Sequence, residues 1–235
     1  MFRRRKNQEV AEAAEEPVET PEPTPEPELA RPQGPWDEAD APQDEVNRID
    51  LGGLRVPVPP DTEVRVDVSP EGEVVAATLV RGTTAMQVNA FAAPRRTGIW
   101  GEVREEIATA LRDGGGQAQD ADGPYGTELH AQVPAEAPGG GIGLAPARFL
   151  GVDGPRWFLR ALITGPGATD PSLAEPLLAA LKDCVVVRGG EAMAVRDPLP
   201  LRLPKEVTAA AEASAAAAVR PPAPPERGPE ITEIR

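Results

Sequence analysis

Apolar and polar residues alternate at Val64, Arg65, Val66, Asp67 and Val68. A period of two sends neighbouring side chains to opposite faces of a strand. Ser69-Pro70-Glu71-Gly72 ends the run as a turn. Two more strands are predicted over 74–80 and 85–91, separated by Arg81-Gly82-Thr83-Thr84. The three read as an antiparallel meander. The period then changes. Ile99, Val103, Ile107 and Leu111 recur every fourth residue with Trp100 beside them, one apolar stripe on a helix. Thr97 is the expected N-cap and Gly114-Gly115-Gly116 the expected stop. Glu102, Glu105 and Glu106 form the solvated face of that helix.

After Gly123-Pro124-Tyr125-Gly126 the pattern predicts a strand over 127–133 and a flexible Pro- and Gly-rich loop over 134–143. Strands follow over 147–152 and 157–163. Asp170-Pro171 opens a second helix carrying Leu173, Leu177, Leu178 and Leu181. Pro176 interrupts it, so its regular part is expected to begin there. Cys184-Val185-Val186-Val187 reads as a buried final strand, and residues 193–204 as an extended surface run. The predicted fold class is α+β: an antiparallel sheet of about six to seven strands with two packed helices.

Composition changes this picture mainly at the ends. The chain has 235 residues and 29 prolines. Residues 1–35 form a Glu- and Pro-rich segment with a basic start, too poor in apolar surface to offset its ordering entropy. It is expected to be a disordered tail, with 36–204 as one domain. Residues 205–219 are alanine-rich and suit a marginal helix, and 221–230 read as a second Pro-rich tail. A net charge of −14 repels phosphate backbones, which argues against nucleic acid as a partner. The single cysteine allows no internal disulfide and fits a reducing compartment. Arg3, Arg4, Arg5 and Lys6 lead into glutamates rather than an apolar stretch, so no secretion signal is read. That basic start could touch an anionic membrane, but the acids behind it cancel the attraction. A soluble cytoplasmic protein is expected.

Candidate chemistry centres on residues 149–165. Asp153-Gly154 is a favoured hairpin pair, with Pro155 complicating the turn and a slightly longer loop equally open. Beyond it, Trp157, Leu159, Ala161 and Ile163 share a face that suits packing under a helix. Arg156, Phe158 and Arg160 share the other face, and two arginines flanking a phenylalanine could grip an anion or an acidic partner, with forked donors that match carboxylate or phosphate. The bland alternative pairs both arginines with carboxylates of this acidic domain. His130, the only histidine, lies inside a strand with no motif supplying a nucleophile or metal. Cys184 reads as a buried, inert thiol. Gly139-Gly140-Gly141-Ile142-Gly143 lacks the strand, helix and Lys-Ser/Thr ending of a phosphate loop. No catalytic residue, cofactor or metal is called for.

Gly34-Pro35-Trp36-Asp37, Ala92-Ala93-Pro94, Gly98-Ile99-Trp100 with Val103-Arg104, and above all Gly151-Val152-Asp153-Gly154-Pro155-Arg156-Trp157-Phe158-Leu159-Arg160 resemble the actinobacterial family known as domain of unknown function 3710. Val186-Val187-Arg188-Gly189 and Leu199-Pro200-Leu201 look like its closing segment. The resemblance spans about residues 34–204 and implies no reaction. The element order is also loosely similar to a PsbP-like sandwich. The reading favoured is a non-enzymatic protein-binding or adaptor module. The alternatives are an enzyme or ligand carrier with a pocket between sheet and helix, and a peripheral membrane protein held by Arg3 to Lys6.

Overall fold

A computed structural model of the chain describes residues 34–136 and 140–204. The two expected tails lie outside the described residues, except Gly34 and Pro35, which are buried. In chain order the elements are β1 (Trp36–Asp37), β2 (Arg48–Asp50), β3 (Leu54–Pro57), β4 (Glu63–Val68), β5 (Val74–Arg81), β6 (Thr84–Ala92) and α1 (Trp100–Asp113). Then come β7 (Gln117–Gly123), β8 (Gly126–Glu136), β9 (Ile142–Gly154), β10 (Trp157–Thr164), α2 (Pro171–Lys182) and β11 (Val185–Val186).

Seven strands form one antiparallel sheet in the order β4-β5-β6-β10-β9-β8-β7. Their registers put Leu79, Met86, Val88, Leu159, Ile163 and Leu150 on one face. That face packs against Leu51, Leu54 and Val56 and against Leu177 and Leu181 of α2, making the main core. The opposite face carries Phe91, Phe149 and Phe158, and α1 covers it with Ile99, Trp100, Val103 and Ile107. The two helices therefore flank the sheet rather than share a side.

A second sheet, in the order β1-β11-β3-β2, was legible only at β11, the buried final strand expected over 184–187. Its strands have two to four residues, too short for any period to show. β1 runs parallel to β11, pairing Trp36 with Val185, and β3 pairs with both β11 and β2 antiparallel. β7 was also missed. It holds no large apolar residue and forms because the Gly123–Gly126 hairpin lays it along β8.

Other expectations need correction. Of the loop expected over 134–143, residues 134–136 and 142–143 are strand, since β8 and β9 stay paired out to Glu136 and Ile142, and 137–139 lie outside the described residues. Helix α2 is continuous from Pro171 although Pro176 lies inside it. The amide that Pro176 lacks would have bonded the carbonyl of exposed Ser172, which water can satisfy. Its buried stripe is Ala174, Leu177, Ala180 and Leu181, while Leu173 is exposed. Residues 196–202 are not a simple surface run. β5 stops pairing with β6 at Ala77–Val88, and this strap fills the gap beyond. Ala92 N donates to Asp197 O at 2.8 Å, Leu199 N to Ala90 O at 2.9 Å and Arg202 N to Leu51 O at 2.7 Å. Leu199 is buried, so the strap ties the large sheet to the small one.

Candidate functional site

The run from Gly151 to Trp157 is a junction between layers. The Asp153 carboxylate reaches across to α1, where Oδ1 accepts from Ile99 N at 2.8 Å and Oδ2 from Trp100 N at 3.2 Å. Those amides are among the donors a helix leaves free at its start, and the negative charge faces the positive end of the helix dipole. The cap expected from Thr97 is thus supplied from another strand. The approach is close. A Cβ on Gly98 would lie 2.4 Å from Asp153 Oδ2, and one on Gly151 would lie 2.2 Å from the Trp100 ring. Trp100 Nε1 also donates to Thr127 O at 2.6 Å.

The turn is displaced from the expected Asp153-Gly154 pair. Gly154 pairs with Trp157, so Asp153 and Gly154 belong to β9 and Pro155-Arg156 are the two turn residues. Proline presets the first position, and Arg156 takes the left-handed second one at φ 63°. Trp157 Nε1 donates to Asp37 Oδ2 at 2.8 Å, fastening β1 to this corner.

The structure splits the trio, keeping Phe158 and Arg160 on one groove and turning Arg156 away. Phe158 is buried, stacked between Trp100 at 5.9 Å and Phe91 at 6.1 Å. Arg156 leaves the strand face for the turn, where its Nη2 donates to Gly189 O at 2.7 Å. Neither arginine pairs with a carboxylate among the described residues, so the bland alternative is corrected too. Arg160 keeps the strand face foreseen for it, beside Phe158. It stands half-buried beside α1, its guanidinium 5.4 Å from the centre of the Phe91 ring. Its one hydrogen bond is a long one, Nη2 to Asn89 Oδ1 at 3.4 Å. Burial holds its pKa below the ordinary guanidinium value, and it remains cationic.

Arg160 lines a groove of about 160 Å³ with Phe91, Phe158, Ile99 and Val103. Arg196 and Glu106 complete the rim. Arg196 comes from the strap at φ 74° and is held to α1 by Glu106 at 2.9 Å and Glu102 at 3.1 Å. These acids, expected as a solvated face, thus fix the groove's outer wall. No sequence signal marked Arg196, because its partners lie some ninety residues earlier.

A second cleft of about 440 Å³ opens on the other face, lined by Gln117, Gln119, His130, Gln132 and Thr169. Beneath it Glu128 is buried and held by the forked guanidinium of Arg148, with Arg148 Nη2 to Glu128 Oε1 at 2.9 Å. His130 Nε2 stands 3.6 Å from Glu128 Oε2. Among the described residues no hydroxyl or thiol hydrogen-bonds to His130, so the pair lacks a nucleophile. Arg148, the one charge in the otherwise apolar run from Ile142 to Val152, was the available signal for this pair, whereas Glu128 lies in a strand with several polar positions. Cys184 is fully buried, its thiol donates to Ala180 O at 3.6 Å, and burial pushes its pKa up to about 12. Among the described residues no group of three His, Cys, Asp or Glu is placed to hold a metal. No helix among them is long and apolar enough to cross a membrane. Arg3 to Lys6 lie outside the described residues.

No curated protein matches the chain. Among solved structures, it is similar to the solution structure of cyanobacterial PsbP (CyanoP) from Synechocystis sp. PCC 6803, at 14% identity and a TM-score of 0.34, over 60% of this chain and 92% of that one. Residues 34–210 match the family described as "Protein of unknown function (DUF3710)", a span that takes in both sheets, the Gly151–Trp157 junction and the Arg160 groove, and the chain belongs to that family.

Proposed function

We propose that this domain is a non-enzymatic protein-binding module that reads a carboxylate on an apolar stem in the groove between α1 and the large sheet. The observation that carries this reading is Arg160. A half-buried guanidinium is normally matched by a carboxylate, because desolvating it uncompensated is costly. Among the described residues Arg160 has the long hydrogen bond to Asn89 and the face of Phe91 but no carboxylate, in a chain of net charge −14. An incoming carboxylate would supply the forked partner, and Phe91, Phe158, Ile99 and Val103 would cover its stem. The groove holds one side chain and is far below the size of a cofactor site. We place the module in the cytoplasm, where the free thiol of Cys184 agrees with reducing conditions.

Phenylacetate is a suitable stand-in, with phenylacetamide as its neutral control. In amide-detected NMR titrations, phenylacetate should shift the Arg160 Nε–H and the Val103 and Phe158 amides saturably. Phenylacetamide should leave them in place, and Arg160→Met should abolish the response. An equal response to the amide, or one that survives in Arg160→Met, removes the reading.

A further inference from the structure

Four more arginines gather beside the groove, around the Pro155-Arg156 turn. The carbonyl of Arg156 accepts from Ala93 N at 2.9 Å and from Arg188 Nε at 3.2 Å. Arg95 and Arg96 lie exposed in the loop between Ala93, which is tied to that turn, and Ile99, which is tied to Asp153. Among the described residues, Arg95, Arg96, Arg156 and Arg188 form no ion pair, and neither do Arg112, Arg160 and Arg202, whereas Arg48, Arg55, Arg65, Arg81, Arg104, Arg148 and Arg196 do. The acids at this end are engaged elsewhere. Asp153 holds the start of α1, Asp37 accepts from Trp157, Asp197 accepts from Ala194 N, and Glu102 and Glu106 hold Arg196. Glu191, three residues beyond Arg188, is exposed. An acidic chain thus keeps a cationic end, and the groove of Arg160 opens within it.

We propose that this arginine end is a docking surface for an acidic segment of a protein partner, one that presents an apolar residue among its carboxylates. The proposal rests on the reading of the groove for the position of that apolar-flanked acid, but the arginine end makes its own prediction. Size argues for a short acidic segment. Charges act over about 8 Å at physiological salt. A short peptide can lie over these arginines, with the exposed acids of α1 and Glu191 at its margins. A nucleic acid or an anionic membrane would extend over the acidic remainder and be repelled. Steering of this kind raises association rates and falls with salt.

The test is fluorescence anisotropy on the full chain with a labelled decapeptide of nine glutamates and one central phenylalanine. Wild type should bind with an affinity that falls steeply with salt. Arg95→Glu with Arg96→Glu, both exposed positions, should weaken binding at least tenfold and flatten the salt dependence while the circular dichroism spectrum stays unchanged. Arg188→Gln, which keeps donors, should weaken it less. Arg160→Met should keep the salt dependence and lose the preference for this peptide over one of glutamates only. If Arg160→Met changes nothing while Arg95→Glu/Arg96→Glu abolishes binding, the docking surface stands and the groove reading falls. Wild-type affinity in Arg95→Glu/Arg96→Glu overturns the docking surface. So does an absence of binding by wild type, or tighter binding to single-stranded DNA or phosphatidylserine vesicles than to the peptide.

Discussion

Replacing Asp153 with alanine removes two hydrogen bonds and the charge that faces the start of α1. Helix caps are worth about 1 kcal/mol, and hydrogen bonds to a charged group about 1.5–3 kcal/mol. Asp153→Ala should therefore cost about 2 kcal/mol in urea unfolding, and Asp153→Asn, which keeps an acceptor, about half that. A neutral result would show that α1 is held by its apolar stripe alone. At this scale the sequence misleads in an instructive way. Aspartate before Gly-Pro reads as a turn former, and its capping role depends on a partner more than fifty residues away. Phe158 misleads similarly. Alternation correctly placed it opposite Trp157, but only the docking of α1 decided that its face is a second core. For Arg160 the alternation was enough to give its face, and it lies at the margin of what α1 covers.

Among the elements, the strap over 196–202 is the piece whose importance the pattern hid. Leu199 is buried between the sheets, while Leu203, four residues on, is 41% exposed. Leu199→Ala should destabilise by about 2–4 kcal/mol, as large-to-small core changes do. Leu203→Ala should stay within about 0.5 kcal/mol. Thermal or urea unfolding of the two variants separates an integral strap from a loose covering; equal, small effects would contradict the former. The long strands and both helices were legible because each carries its own period. β7 and, β11 apart, the strands of the small sheet were not. They are short or polar, and their existence depends on neighbours that supply the other half of each hydrogen-bond ladder.

Across the whole molecule, the one cysteine and the one tyrosine report on the same core. Cys184 is raised to about 12 by burial, and burial also raises Tyr125, whose hydroxyl donates to Leu178 O at 3.0 Å. Both groups keep their protons longer in the folded state than in the unfolded one. Between the unfolded and folded values, the unfolded chain binds fewer protons, so stability falls as pH rises. The contribution is intact below an ordinary thiol value of 9.0 and is lost on the way to about 12. Denaturant unfolding between about pH 8 and pH 10 should show this decline. Cys184→Ala should flatten it, since one group contributes up to about 1.4 kcal/mol per pH unit. An unchanged slope in that variant would mean the thiol is titrating in the folded state.

What the sequence determined by itself is the alternation and the helical period. Side-chain direction is set within a few residues of each position, so the large antiparallel sheet, both helices and the inward set of β10 follow from local order. The tertiary structure decided which buried face each helix took, that Asp153 would start α1, that the strap would fill the gap beside β6, and that the arginines of three separate loops would share one end. Each of those depends on residues brought together from far along the chain. The closure of such contacts is settled by packing and by the pairing of buried polar groups, which no local pattern records.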